Sequence, residues 1–302
     1  MEIGILGTGA FALAIAHLLE INKVKFTILG RDKNQLDDLK LNKTNKKYTN
    51  HKFKNYINVK EMTIKNMNMF DFIFYCLPSK YIYILDKLNK DIHFIITSKG
   101  YCQKFIFERL NNYSILSGGS YSQEILNDIP CYITLASKNL DKLLYIEKII
   151  SSKNCLIKKS DKPESIELLG IFKNIIAVFC GIITQLNMGK NIEAAFISKV
   201  LQNLNKFSDF DESTLIQPAG IGDLFLSCSS IKSRNYSFGI SLIINKKIEY
   251  DKLTEGFNSL NNLKITKNIT LINSLYQIID NIIDDTNDQK IKILILDLIN
   301  SI

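Results

Sequence analysis

The chain opens with Met-Glu-Ile-Gly-Ile-Leu, and Gly7-Thr-Gly-Ala-Phe-Ala12 follows at once, ahead of the apolar run Leu13-Ala-Ile-Ala-His-Leu-Leu19. Nothing else in the sequence limits the fold as strongly. A β-rich run feeds two glycines one residue apart, and these feed a helix. Gly7 permits the tight turn and Gly9 lets the backbone approach a ligand. The helix N-terminus then offers free N–H groups and a positive dipole end to an anion such as a pyrophosphate. Ala12 takes the third position of G-x-G-x-x-G/A, at the cost of slightly looser helix–strand packing. Placed between a strand and a helix, with a second strand at the expected spacing, the motif predicts a dinucleotide-binding turn.

The second strand pattern ends at Gly30-Arg31-Asp32. An acidic side chain there would bind the ribose 2′-hydroxyl of NAD, and an arginine would pair with the 2′-phosphate of NADP. Both are present. Arg31 comes first, so NADPH is favoured, with NAD left open.

Strand patterns at Glu2–Leu6, Lys25–Leu29, Phe70–Leu77, His93–Thr97, Tyr113–Ser117 and Tyr132–Ala136 alternate with helical ones. The helical patterns lie at Phe11–Ile21, Ser79–Leu88, Gln103–Leu110 and Leu140–Ser151. Such alternation predicts an α/β fold with a mainly parallel, Rossmann-like doubly wound sheet. The polar stretch Lys40–Lys60 carries Tyr48, Phe53, Tyr56, Ile57 and Val59, and is expected to be a packed excursion rather than a linker.

After Lys158 the pattern changes. Asp161-Lys-Pro-Glu164 resembles a helix start, with Asp161 as cap and Pro163 in the first turn. A long helix, apolar nearly all round, is expected from there to about Met188. Helical patterns continue at Ile192–Phe207, Tyr236–Ile244, Asn258–Asp280 and Gln289–Ser301. The expected organisation is therefore a dinucleotide-binding domain over residues 1–158 and an all-α substrate and catalytic domain over 159–302.

Composition serves mainly to exclude. The formal charge of +8 comes from dispersed lysines in a chain rich in Lys, Asn and Ile, so no nucleic-acid partner is expected. None of the 6 cysteines forms a C-x-x-C pair, and the 3 histidines fall near none of them in a ligand pattern. Neither a disulfide framework nor a metal site is expected, and reduced thiols point to the cytoplasm. The start of the chain lacks a basic segment ahead of an apolar core, and Leu168–Ile183 is interrupted by Lys173 and Asn174, so no membrane anchor is expected.

Lys173 is the most informative residue of the second half. It stands in Leu168-Leu-Gly-Ile-Phe-Lys-Asn-Ile-Ile-Ala-Val-Phe-Cys-Gly-Ile-Ile183, where Asn174 is its one strongly polar companion. A buried ammonium must find partners or lose its proton. A lysine with a depressed pKa makes a good acid–base group near neutral pH. Lys99 ends the strand pattern Ile95-Ile-Thr-Ser-Lys99-Gly100, where open α/β sheets bind their ligands. Ser117-Gly-Gly-Ser120 could form an N–H-rich nest. Ala219-Gly-Ile-Gly-Asp223, followed by Ser227, Ser233 and Arg234-Asn235, could supply a charge partner for a lysine and a fork for a phosphate.

Taken in order, Gly7–Ala12, Leu29-Gly-Arg-Asp32, Cys76-Leu-Pro-Ser79, Thr97-Ser-Lys-Gly100, Ser117-Gly-Gly-Ser-Tyr121, Glu167-Leu-Leu-Gly-Ile-Phe-Lys-Asn174, Gly220–Asn235 and Leu253-Thr-Glu-Gly256 resemble the bacterial-type NAD(P)-dependent glycerol-3-phosphate dehydrogenases. The resemblance is collinear from Gly7 to about Gly256. It implies reversible reduction of dihydroxyacetone phosphate to sn-glycerol 3-phosphate, feeding phospholipid synthesis, by a cytoplasmic homodimer. It implies Lys173 as the proton donor and acceptor, Lys99 as a contact to substrate and cofactor, and Asp223 as the carboxylate that orients the catalytic amine. Gly118, Ser120, Asn174, Ser227, Ser233, Arg234 and Asn235 fall on substrate positions. Gly7, Gly9, Ala10, Phe11, Arg31, Lys99, Ser122, Arg234, Leu253 and Glu255 fall on cofactor positions. The family's Ser-Gly-Pro-Ser/Thr-Phe-Ala-Lys is altered here to Ser117-Gly-Gly-Ser-Tyr-Ser-Gln123. Two rivals stand beside this expectation: another reductase of the ketopantoate or hydroxyacid type, and a non-catalytic dinucleotide-binding protein.

Overall fold

Strands that pair in parallel and are covered on both faces need continuous apolar runs, and the first third of the chain supplies them. The computed structural model describes residues 1–100, 109–207, 210–248, 254–266, 269–285 and 287–301. Its eight strands are β1 (Ile3–Leu6), β2 (Thr27–Gly30), β3 (Asn58–Glu61), β4 (Phe72–Tyr75), β5 (His93–Ile96), β6 (Tyr113–Ser117), β7 (Cys131–Ala136) and β8 (Cys155–Ser160). They form one sheet in the order β3-β2-β1-β4-β5-β6-β7-β8. Pairing is parallel from β3 through to β6, antiparallel between β6 and β7, and parallel again between β7 and β8. β1, β2, β4 and β5 are buried at every residue. Leu6 pairs with Leu29 on one side and Tyr75 on the other, so the order of strands reverses at β1. That reversal is the topological switch point, and Gly7 leaves from it.

The sheet has two strands more than the sequence patterns predict. β3 reads Asn-Val-Lys-Glu and β8 reads Cys-Leu-Ile-Lys-Lys-Ser, and both lie at the edges of the sheet. Edge strands carry lysines and leave one side to solvent, so they lack the apolar run that marks a central strand. β3 closes the polar excursion, in which Phe53 and Ile57 are buried while Tyr56 is exposed. The expected helix Ser79–Leu88 is a run of tight 3₁₀ turns over Ser79–Lys87, and the expected helix Gln103–Leu110 lies almost wholly outside the described residues.

Contacts divide the chain into two compact units. The first holds the sheet and its helices up to Glu167, with Gln217–Ala219. The second takes Lys99 and Gly100 together with Leu168–Ile216 and everything from Gly220 onward. In this second unit every described regular element is helical. Pro163 is the first residue of the long helix Pro163–Gln185, so the position ahead of it is Lys162 rather than Asp161. The expected helix Asn258–Asp280 is instead two, Glu255–Thr266 and Thr270–Ile283.

The long helix packs backbone to backbone against the helix Arg234–Asn245. A Cβ on Gly181 would run into the Tyr236 carbonyl, and one on Gly239 into the Val178 carbonyl. Glycine at both positions is what allows this close approach. By length and composition the helix Pro163–Gln185 could cross a membrane, but 94% of its apolar window is buried inside the protein.

Candidate active site

In the first unit the turn after β1 is shaped by backbone. Gly7 has φ +117° and donates its N–H to the Leu29 carbonyl at 2.8 Å. Only glycine takes that conformation without strain. Gly9 precedes the helix Ala10–Ile21, which has no side-chain cap, and a Cβ on Gly9 would meet no atom within 4 Å. The first helical bond runs from the Leu13 N–H to the Gly9 carbonyl, leaving the N–H groups of Ala10 and Phe11 ahead of the ladder. The open side of Gly9 and these leading N–H groups fit a dinucleotide pyrophosphate, an acceptor without side-chain competition. Thr8 is pinned between them. Its hydroxyl lies 2.6 Å from Gln35 Oε1, and its carbonyl accepts from Asn45 Nδ2 at 2.9 Å.

Beyond β2 the two candidate ribose ligands part company. Asp32 caps the helix Lys33–Asp37, accepting from the Gln35 N–H at 3.3 Å and from Gln35 Nε2 at 2.7 Å. Arg31 is exposed and lies over the Tyr81 ring, 5.1 Å from its centroid. It lines a cavity of about 290 Å³ with Lys80, Tyr81 and Lys87, and no carboxylate is among its walls. A larger cavity, about 500 Å³, is walled by Asp32, Asp37 and Asp38 together with Lys46 and Lys47, so its charges are mixed. Lys80, Tyr81 and Lys87 stand outside the motifs that mark the site in the sequence. Their signal was two lysines seven residues apart after Cys76-Leu-Pro-Ser79, a spacing that can put both on one face.

The second unit gathers the charged residues. Asp223 begins the short helix Asp223–Cys228 and is buried. Lys99 Nζ donates to its Oδ2 at 2.7 Å, and Lys173 Nζ approaches Oδ1 at 3.2 Å. Lys173 also donates to Ser227 Oγ at 2.9 Å, four residues along the same helix face. Burial pushes the Lys173 amine down to about 8; Asp223 opposes that drop, and Lys99 adds to it. Burial alone would raise the Asp223 carboxyl, but Lys173 and Lys99 outweigh it and hold the group below its usual range. An amine near 8 can give or take a proton around neutral pH, and the cluster carries a net positive charge toward an anion.

Successive residues on a helix point about 100° apart. Asn174 therefore serves a different partner from Lys173. Its Nδ2 donates to the Lys99 carbonyl at 2.6 Å, while its Oδ1 accepts from Asn235 Nδ2 at 2.7 Å. Asn235 Oδ1 in turn accepts the Gly256 N–H at 3.0 Å. A Cβ on Gly256 would run into the Asn174 carbonyl, so this amide relay requires glycine there. The relay holds the Lys99 backbone in place beside Asp223.

The remaining expected residues divide between the units. Ser233 caps the helix Arg234–Asn245 by accepting the Tyr236 N–H at 3.4 Å, and Arg234 is its exposed first residue. Glu255 is half-buried at the start of Glu255–Thr266, and Leu253 lies outside the described residues. Gly118, Ser120 and Ser122 belong to the first unit. A Cβ on Gly118 would come within 2.8 Å of the Ile133 Cα, so the backbone turns tightly against β7 there. Ser122 opens the helix Ser122–Leu126, which likewise has no side-chain cap.

Known proteins of one family resemble both halves of the chain. The family described as NAD-dependent glycerol-3-phosphate dehydrogenase matches twice, its N-terminal part over residues 2–143 and its C-terminal part over 163–290. A protein of Mycoplasma mobile described as glycerol-3-phosphate dehydrogenase using NAD(P)+ is 31% identical over 308 residues, 92% of each chain. One from Ehrlichia chaffeensis with the same description is 32% identical over 288 residues, 86% of this chain and 88% of that one. The crystal structure of glycerol-3-phosphate dehydrogenase from Coxiella burnetii superposes with a TM-score of 0.82 over 98% of both chains. At 22% identity, that likeness speaks for the fold.

Proposed function

The chain belongs to the NAD-dependent glycerol-3-phosphate dehydrogenase family, and from that premise we propose how its own residues carry the reaction. It is an NAD(P)-dependent oxidoreductase that interconverts dihydroxyacetone phosphate and sn-glycerol 3-phosphate. The observation that carries the mechanism is the pair of lysines sharing the two oxygens of buried Asp223. When bound, the dinucleotide supplies a hydride to the ketone carbon. Lys173 gives its proton to the oxygen that becomes the hydroxyl, and takes it back in the reverse direction. Lys99 stabilises negative charge developing on that oxygen, and Asp223 keeps both amines aimed. Arg234 is the phosphate grip we favour, as an exposed guanidinium at a helix start. Lys173 therefore serves reduction in its charged form and oxidation in its neutral form.

Gly7, Gly9, Ala10 and Phe11 hold the pyrophosphate in this reading. Arg31, Lys80 and Lys87 favour NADPH, because three cations without a carboxylate among them suit a 2′-phosphate. Asp32, the acid that would hold a free ribose hydroxyl, already accepts a hydrogen bond from Gln35 on each oxygen as a cap. We also propose residues 1–158 as the cofactor domain and 159–302 as the catalytic domain from the change of pattern after Lys158, a cytoplasmic location from the unpaired cysteines, and a homodimer on the family resemblance. Light scattering of the purified chain tests the dimer.

The deciding experiment follows loss of NADPH absorbance with dihydroxyacetone phosphate, repeated with NADH and with unphosphorylated dihydroxyacetone. Turnover that requires the phosphate and runs faster with NADPH is expected. Equal rates with both ketones would remove the phosphate grip from the mechanism, and equal rates with both cofactors would remove the role given to Arg31.

A further inference from the structure

On the far end of the helix that carries the phosphate turn lies a cluster the dehydrogenase chemistry does not use. His17, Glu20 and His51 each present a ligand atom, and these three atoms lie within 4.8 Å of one another. His17 is buried, and its ring stands edge-on to that of His51 with centroids 4.6 Å apart. Buried polar atoms ordinarily find partners. Here His17 Nδ1 and His51 Nε2 have no hydrogen-bond partner among the described residues.

The other nitrogen of each ring is engaged. His17 Nε2 donates to Asp128 Oδ1 at 3.0 Å, since a carboxylate can only accept. The His51 ring has the Leu126 backbone as its hydrogen-bond partner, a carbonyl that accepts from the ring. Each imidazole is thus held in the tautomer that leaves its unpartnered nitrogen without a proton. A carboxylate or carbonyl behind a metal-binding histidine does the same. Glu20 Oε1 accepts the Asn55 N–H at 2.7 Å, and the same carboxylate brings an oxygen to the two rings.

We propose that His17, His51 and Glu20 bind a divalent transition-metal ion of the Zn²⁺ type, with Asp128 and the Leu126 carbonyl orienting the two imidazoles. Two imidazoles and one carboxylate are a borderline-soft donor set that suits Zn²⁺ over Ca²⁺ or Mg²⁺. Ligand atoms around tetrahedral zinc stand about 3.3 Å apart, given bonds near 2.0–2.1 Å. The three atoms, within 4.8 Å of one another, would draw closer on binding the ion. The ion would staple three distant segments: the first helix, the polar excursion through His51, and the turn that carries Asp128. Its role is structural, since the cluster lies outside the residues assigned to hydride and proton transfer.

The test uses the purified full-length chain after chelator treatment. Zn²⁺ is titrated calorimetrically, Co²⁺ is titrated as its coloured substitute, and thermal unfolding is followed with and without Zn²⁺. One ion per chain and a Tm raised by Zn²⁺ are expected. Glu20→Gln and His51→Gln sit at half-buried positions, so both should keep the metal-free Tm. Each should weaken binding more than about tenfold, and Asp128→Asn should weaken it by about 10–100-fold as an orienting group does. Absence of binding in the unaltered chain overturns the proposal. So does binding of unaltered strength in both E20Q and H51Q, the result that capture by cysteines would give. None of these readouts depends on dehydrogenase turnover, so they stand or fall apart from the proposed function.

Discussion

The phosphate turn of the first unit and the lysine–aspartate cluster of the second solve opposite problems. At Gly7–Phe11 the protein offers backbone N–H groups with side chains removed, and the two glycines clear the way. At Lys99, Lys173 and Asp223 it offers charged side chains, two of them taken well out of water and balanced against each other. A backbone site depends on a few consecutive residues. A buried charge cluster depends on segments more than 120 residues apart in the chain. The contrast teaches that binding and chemistry here should respond differently to substitution.

The largest effect should come from Lys173→Ala, which removes the proton donor while leaving the Gly7–Phe11 turn intact. Turnover is expected to fall by about 10²–10⁴-fold, with NADPH affinity by fluorescence titration close to that of the unaltered chain. Wild-type rates in this variant would end the assignment of Lys173.

Asp223→Asn should act on stability and pH dependence together. Breaking a buried ion pair from one side costs about 3–5 kcal/mol, which denaturant unfolding would register. Lys173 sits near 8, and Asp223 holds it from falling further. In the unaltered enzyme, ketone reduction should therefore fade as pH rises through about 8, while alcohol oxidation grows over the same range. With Asn at 223 both limbs should move to lower pH. Limbs that stay in place would show that another group carries the proton.

The two glycines of the turn give the sharpest internal comparison. Gly7→Ala forces a side chain into φ +117° and should cost about 1–3 kcal/mol of stability. Gly9→Ala points its methyl into open space, so stability should change by less than about 0.5 kcal/mol. Cofactor affinity should nevertheless drop by about tenfold, or about 1.4 kcal/mol. An unchanged dissociation constant would mean that the pyrophosphate does not lie against Gly9.

Arg31→Ala should have the smallest effect, because its guanidinium is exposed and solvent screens it. NADPH KM is expected to rise by about fivefold, near 1 kcal/mol, with NADH KM unmoved. Parallel changes in both would detach Arg31 from the 2′-phosphate.

Local chemistry was legible wherever it depends on neighbouring residues. The Gly7–Ala12 turn, the central strands and the polar Lys173-Asn174 pair inside an apolar helix could all be read directly, because each breaks or obeys a short-range pattern. The edge strands β3 and β8 could not, since solvent on one side removes the apolar run that would mark them. The break between Glu255–Thr266 and Thr270–Ile283 was also hidden, as the helical pattern of Asn258–Asp280 runs on across it.

By itself, then, the sequence determined a doubly wound sheet with a phosphate turn at its start and an out-of-place lysine in a helical second half. Periodicity and glycine placement act within a few residues, and a chain read in order displays them. Tertiary structure alone decided that Asp223 divides its two oxygens between Lys99 and Lys173. It alone tied Asn174, Asn235 and Gly256 into a relay, and it alone set His17 against His51, 34 positions away in sequence. Those arrangements depend on which helix faces meet and how closely glycine lets them approach, and no spacing along the chain encodes that distance.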